Sequence, residues 1–285
     1  MTQIQQMTTD FSIHVKMEST VLSVSIPVIR VIRVIFFLHT TFYPNFSTQT
    51  TAMTAKEVLS QLKEMGSESI RKVLAKHGAP SNQYGVKVED MKKIVKKVKK
   101  DYDLSLQLFD SGISDAQYLA GLIADETKMT KKDLQHWAET STWQTVNEYT
   151  VAWIAAESDH GWELGLKWIS SKKENVQSSG WSTLANLVAL RSDDELDIKE
   201  LKNLLHRAAK EIPTAANRVR YTMNSFIIAI GSYVKELTAE ALKIGQSLGP
   251  LSIDMNGTAC KVPFAPDYIQ KTVARGYKKK KMARC

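Results

Sequence analysis

The chain has 285 residues, 43% hydrophobic and 24% charged, which excludes disordered and fibrous classes and suffices for one large or two small domains. Lys and Arg number 38 against 30 Asp and Glu, a formal charge of +8 that favours a polyanionic partner. With two cysteines, Cys260 and Cys285, and six histidines in no ligand-like spacing, neither a disulfide framework nor a metal site is expected, and no cofactor is expected either.

Residues 1–52 read apart from the rest. Val21 to Phe37 is apolar, but Pro27, Arg30 and Arg33 make a membrane span costly, so no membrane partner is expected. The segment reads as an organelle-targeting presequence, which would imply mitochondria, or as an extension upstream of Met53. In the second case cytoplasm or nucleus is the expected compartment. Residues 53–250 form the expected folded domain, and 251–285 a docking segment with a basic tail.

From Thr54 the chain is a train of short helices. Thr54-Ala-Lys-Glu57 is a capping box that opens the first, and Gly66 stops it. Ser67 to His77 repeats the form, and 79–86 is a loop with strong turn chemistry. Val88 to Lys100 carries an apolar stripe, with Lys92, Lys93, Lys96, Lys97, Lys99 and Lys100 crowding the remaining surface. Such a face either meets phosphates or is simply solvated. Helices follow at 104–109, 115–124 and 131–140, the last opened by the cap pattern Thr130 to Asp133.

Thr140 to Ala156 reads as one long helix. Spacing of three and four places Trp143 and Asn147 outward together, with Val146, Tyr149, Trp153 and Ile154 inward. Helices at 162–170, 175–190, 198–212, 216–233 and 239–248 complete the run. In 175–190, Trp181 sits among small residues that would allow close approach, and reads either as a buried core indole or as a binding one. In 216–233, Arg218, Tyr221, Thr222 and Ser225 gather on one polar face beside Arg220, a set suited to gripping phosphates or merely exposed.

Paired helices joined by short turns, with few strand signals, predict an all-α fold: a curved α-solenoid of antiparallel helical hairpins, monomeric, offering a concave surface to an extended partner. Beyond it, Leu251 to Pro263 reads as a docking loop with Cys260 as a small buried residue, and Tyr268 to Arg275 as a last helix. Lys278 to Lys281 with Arg284 makes a basic tail that reaches phosphates, serves as a nuclear-type address or is solvated.

The helix order, Tyr118-Leu-Ala-Gly-Leu-Ile-Ala-Asp125 and above all Trp143-Gln-Thr-Val-Asn147 resemble the DNA alkylation repair family, the HEAT-like repeat DNA glycosylases, over about Thr54 to Leu248. The resemblance implies a C-shaped array of HEAT-like hairpins that binds duplex DNA and removes N3- or N7-alkylated purines. In active members the motif looks like Trp-Asp-Thr-Val-Asp, whose Trp contacts the lesion and whose final Asp is the catalytic carboxylate. Here Asn147 stands at that Asp. The resemblance also puts the family's second lesion-contacting Trp at Ser225 and its DNA-gripping Arg at Leu184, with Trp181 retaining a family Trp. A carboxylate stabilises the positive charge that develops on the sugar, and losing such a group costs about a hundred- to a thousand-fold in rate. Three readings follow: recognition of damaged, distorted or branched duplex DNA with little catalysis, active excision of alkylpurines, or a helical scaffold for another protein.

Overall fold

Helix α1 (Ala55–Met65) begins where the Thr54 hydroxyl accepts from the Glu57 amide at 3.3 Å and the Glu57 carboxylate accepts from the Thr54 amide at 2.8 Å, the expected capping box. The same reciprocal pair, Thr130 with Asp133, opens α6 (Lys131–Thr140). Ser67 and Asp101 cap α2 (Glu68–Lys76) and α4 (Tyr102–Asp110). These elements come from a computed structural model that describes residues 53–284, among which there are thirteen α-helices and no strand. Residues 1–52, and with them the expectation of a targeting segment, lie outside the described residues.

Successive helices pack in pairs. Helix α4 packs on α5 (Ser114–Ile123), α8 (Gly161–Trp168) on α9 (Glu174–Leu190), α10 (Ile198–Glu211) on α11 (Asn217–Tyr233), and α12 (Thr238–Leu248) on α13 (Ala265–Val273). The second members also pack on one another: α5, then the helical segment ending in α7 (Ala152–Glu157), then α9, α11 and α13. They form an inner layer backed by the first members, the all-α array of HEAT-like hairpins expected from the sequence. Helix α3 (Val88–Val98) packs on α1 and α5.

The core runs along this array. Phe109 and Trp137 stack with centroids 4.2 Å apart in its first half, and Trp181 meets Phe226 at 5.2 Å in its second. Trp181 is 0% exposed. The small residues around it leave room for α8 rather than for a ligand: a Cβ on Gly180 would lie 2.7 Å from the Ile169 amide nitrogen and 2.8 Å from the Trp168 Cβ. Only glycine permits that approach.

The stretch expected as one helix from Thr140 is not one. Its chain breaks at Ser141 to Trp143, because the Thr142 amide and hydroxyl both donate to Gln117 Oε1, at 2.9 and 2.8 Å, and draw the backbone out of the helix. Helix resumes at Gln144 and widens into a π-helical turn, Val146–Val151, before α7. Such turns shift the angular register of the side chains that follow, and they occur often at functional sites.

Helix α13 begins at Ala265 rather than Tyr268. After it the chain returns along the C-terminal ends of the inner helices. Among the described residues no helix is long and apolar enough to cross a membrane.

Candidate functional site

The break at Ser141 to Trp143 opens a cleft of about 410 Å³, bounded by the first turns of α9 and α11 and lined by Trp143, Asn147, Glu174, Asn175, Ser178 and Arg218. The N-terminal ends of two long helices meet there, so unpaired amides and the positive ends of their dipoles face the same space. Glu174 already answers one of them, accepting from the Arg218 amide at 2.7 Å.

Trp143 is half-buried and fixed. Its indole N–H donates to the His77 carbonyl at 3.1 Å, and Gln144 Nε2 donates to the same oxygen at 2.9 Å, which ties this turn to the end of α2. The ring also lines an apolar cavity of about 240 Å³.

Asn147 lines the cleft with Trp143 but does not look outward with it, as the helical spacing predicts. It is 2% exposed. Its Oδ1 accepts from the Ser141 hydroxyl at 2.7 Å, its Nδ2 donates to Ser179 at 3.4 Å, and the Ser179 hydroxyl donates to its main-chain carbonyl at 3.2 Å. A neutral amide with both ends bonded is stable in that position, where an unpaired carboxylate would be costly.

Glu148, which a simple helix turns away from this site, is held by Arg218 across the array. The guanidinium donates from Nε to Oε1 at 2.7 Å and from Nη2 to Oε2 at 2.5 Å, with Glu148 only 4% exposed. Burial pushes the Glu148 carboxyl above its usual range against the pull of Arg218. At Arg218 burial acts to lower the pKa, and the bonds to Glu148 outweigh it, so the guanidinium is held more firmly protonated. It stacks over Tyr221 with 4.4 Å from the guanidinium carbon to the ring centre. Arg218 lines both the Trp143 cleft and a second cavity, of about 340 Å³, lined also by Glu148, Tyr149, Tyr221, His77 and Cys260. Cys260 is exposed rather than buried, its Sγ 3.9 Å from His77 Nδ1.

Tyr149, expected inward, is 41% exposed, since the π turn rotates it out while Val146, Thr150 and Val151 stay buried. Thr222 leaves the expected polar face of α11, being 1% exposed and bonded to the Val219 carbonyl. Ser225 donates to the Tyr221 carbonyl. Arg220 is spent on the carbonyls of Ser252 and Ala215, holding the loop after α12 in place. Trp181 and Leu184 are sealed in the core, so neither reaches a surface. Lys92, Lys93, Lys96 and Lys97 are exposed on α3, away from the Trp143 cleft; Lys92 and Lys96 line a separate groove. Sequence reasoning missed Glu174, Ser141, Ser179 and His77. Glu174 is visible as an acid at a helix start, but its bond to Arg218 joins residues far apart in the chain. No group of three or more His, Cys, Asp or Glu side chains that would hold a metal occurs among the described residues.

Three comparisons bear on this geometry. The family model described as DNA alkylation repair enzyme matches residues 58–259. Two uncharacterized proteins, from Listeria monocytogenes and Listeria innocua, are each 31% identical over 225 residues, covering 77% of this chain and 97% of theirs. A solved structure described as "A new family of proteins related to the HEAT-like repeat DNA glycosylases with affinity for branched DNA structures" is similar at 29% identity with a TM-score of 0.75, over 82% of this chain and 100% of that one. By a match that spans most of its length, and by the array of helical hairpins that carries the cleft, the chain belongs to the DNA alkylation repair family.

Proposed function

We propose that the chain binds duplex DNA at branched, distorted or damaged sites through the Trp143 cleft, and that base excision there is slow or absent. The observation that carries this reading is the chemistry at position 147. Cleaving the glycosidic bond of an alkylated purine develops positive charge on the sugar, and stabilising it takes an anion aimed at that point. Asn147 supplies none, and both oxygens of the neighbouring Glu148 are taken by Arg218. What the cleft keeps is recognition chemistry: an indole pinned at its N–H, a rigidly held guanidinium and two helix N-terminal ends. A flat ring at a fixed height suits unstacked or splayed bases better than a closed duplex. The affinity for branched DNA ascribed to the similar solved protein supports the same reading.

Trp143→Ala tests it directly. Binding to a four-way junction is expected to fall about five- to tenfold, with little change on a linear duplex of the same composition. Equal losses on both, or none, would remove the cleft from the account.

Excision is the second reading, and Glu174 favours it. This exposed carboxylate lines the same cleft as Trp143, with one oxygen on the Arg218 amide and no partner for the other among the described residues. Release of free base from duplex carrying N7-methylated guanine separates the two. Binding alone predicts no release; excision through Glu174 predicts release that Glu174→Gln lowers by about a hundredfold or more.

A further inference from the structure

A groove of about 780 Å³, larger than the Trp143 cleft, opens where Leu122, Ala156 and Leu190, in the last turns of α5, α7 and α9, converge between α3 and the returning C-terminal segment, residues 277–284. Helix C-terminal ends present unpaired carbonyls and the negative ends of their dipoles, so this rim by itself repels phosphate. Residues 277–284 reverse that. Lys279 Nζ donates to the Val188 carbonyl at 3.0 Å, the Lys280 amide donates to that of Ala189 at 2.7 Å, and Arg284 Nη1 donates to those of Gly121 and Ala124 at 3.1 and 2.8 Å. Arg284 also pairs with Glu126 and Glu157, while Arg191 takes Glu195. Every carboxylate of the described residues that line the groove is therefore claimed. Lys92, Lys96, Lys99, Lys280 and Lys281 line it, all exposed and with no carboxylate partner among the described residues. Lys99 holds φ 63° and ψ −126°, a conformation that glycine takes freely and lysine only under strain.

The geometry points to this groove as a second phosphate-backbone site, one that takes another arm of a branched DNA while the first lies on the Trp143 cleft. The proposal rests on the DNA-binding reading of that cleft. Lys92 and Lys96 lie one turn apart on α3, and Lys99 caps its C-terminal end with its amide on the Val95 carbonyl, which makes a row about 10 Å long. Duplex DNA carries one charge per 1.7 Å of axis, so on the order of six phosphate charges pass such a row. Trp143 and the groove lie at opposite ends of one inner-layer segment, about 20 Å apart at 1.5 Å per residue. Residues 277–284, a C-terminal strap across these helix ends, fall outside residues 58–259, so the family match does not account for them.

The test compares two pairs of substitutions of equal charge on α3 and its C-terminal cap in the full chain: Lys96→Gln with Lys99→Gln in the groove, and Lys93→Gln with Lys97→Gln outside it. Lys280→Gln with Lys281→Gln probes the opposite wall. Binding of a four-way junction and of a linear duplex is measured across salt. Each groove pair is expected to weaken the junction about tenfold and reduce its log–log salt slope by about two, at about 0.9 per phosphate contact. The linear duplex should change little, and the pair at Lys93 and Lys97 should leave both unchanged. Junction binding that is the same for groove and control pairs overturns the second site, including the case where the groove serves an acidic protein instead. If the wild-type chain binds no DNA, the cleft reading fails and this one with it; if the wild type prefers junctions and the groove pairs keep that preference, only the groove fails.

Discussion

Glu148 and Arg218 make a buried pair whose members depend on each other. Glu148→Gln or Arg218→Met alone leaves a charge without its partner, which typically costs about 3 to 5 kcal/mol. Both together should cost clearly less than the sum, measured by denaturant unfolding. Additive losses would mean that the pair is not coupled as the distances indicate. The sequence points to Trp143 and residue 147 because a five-residue motif carries them. It hides Glu148, since the expectation of 100° per residue fails inside a π turn and its partner lies on another helix. Trp181 shows the opposite limit, because an indole among small residues reads equally well as core or as contact. Trp181→Ala should lose about 3 to 5 kcal/mol of stability and leave DNA affinity per folded molecule unchanged, whereas Trp143→Ala should lose less stability and weaken DNA binding.

At the scale of elements, the C-terminal strap is held by the same acids that would otherwise make its groove negative. Burial acts to raise the Glu126 pKa, yet hydrogen bonds from Lys100 and Arg284 outweigh it and hold the carboxyl below its ordinary 4.5. A carboxyl depressed in the folded state stabilises that state above its unfolded pKa, and the contribution is lost as pH falls through the lowered value. The strap should therefore loosen on acidification below about pH 4.5, seen as lower protection of the amides of residues 277–284 relative to their intrinsic exchange rate at that pH, and Arg284→Ala should show the same loss of protection at neutral pH. Full protection under both conditions would argue that the lysines and main-chain bonds hold the strap without Arg284. In the sequence this element is only a run of lysines. Its docking depends on where three helices end, which no local pattern encodes, whereas capping boxes such as Thr54 with Glu57 are local and fix helix starts well.

For the whole molecule, the inner layer has two rims of opposite natural polarity. The rim of helix N-terminal ends carries Trp143 and Arg218; on the rim of C-terminal ends, Lys279, Arg284 and the Lys280 amide bond the carbonyls, and exposed lysines line the groove beside them. The array was legible because apolar spacing, caps and short turns repeat from Thr54 to Leu248, and the net charge of +8 pointed to a polyanion. How that charge divides between two rims was not, since it depends on the strap. The measurement that bears most directly on the account is a salt titration of the wild-type chain against a four-way junction and a linear duplex of equal length, with free base assayed in the same tubes on alkylated DNA. Junction binding should be at least tenfold tighter, with a steeper salt dependence and no base released. Equal affinity for the two DNAs, or ready release of alkylated base, would rule out a recognition site built on the Trp143 cleft.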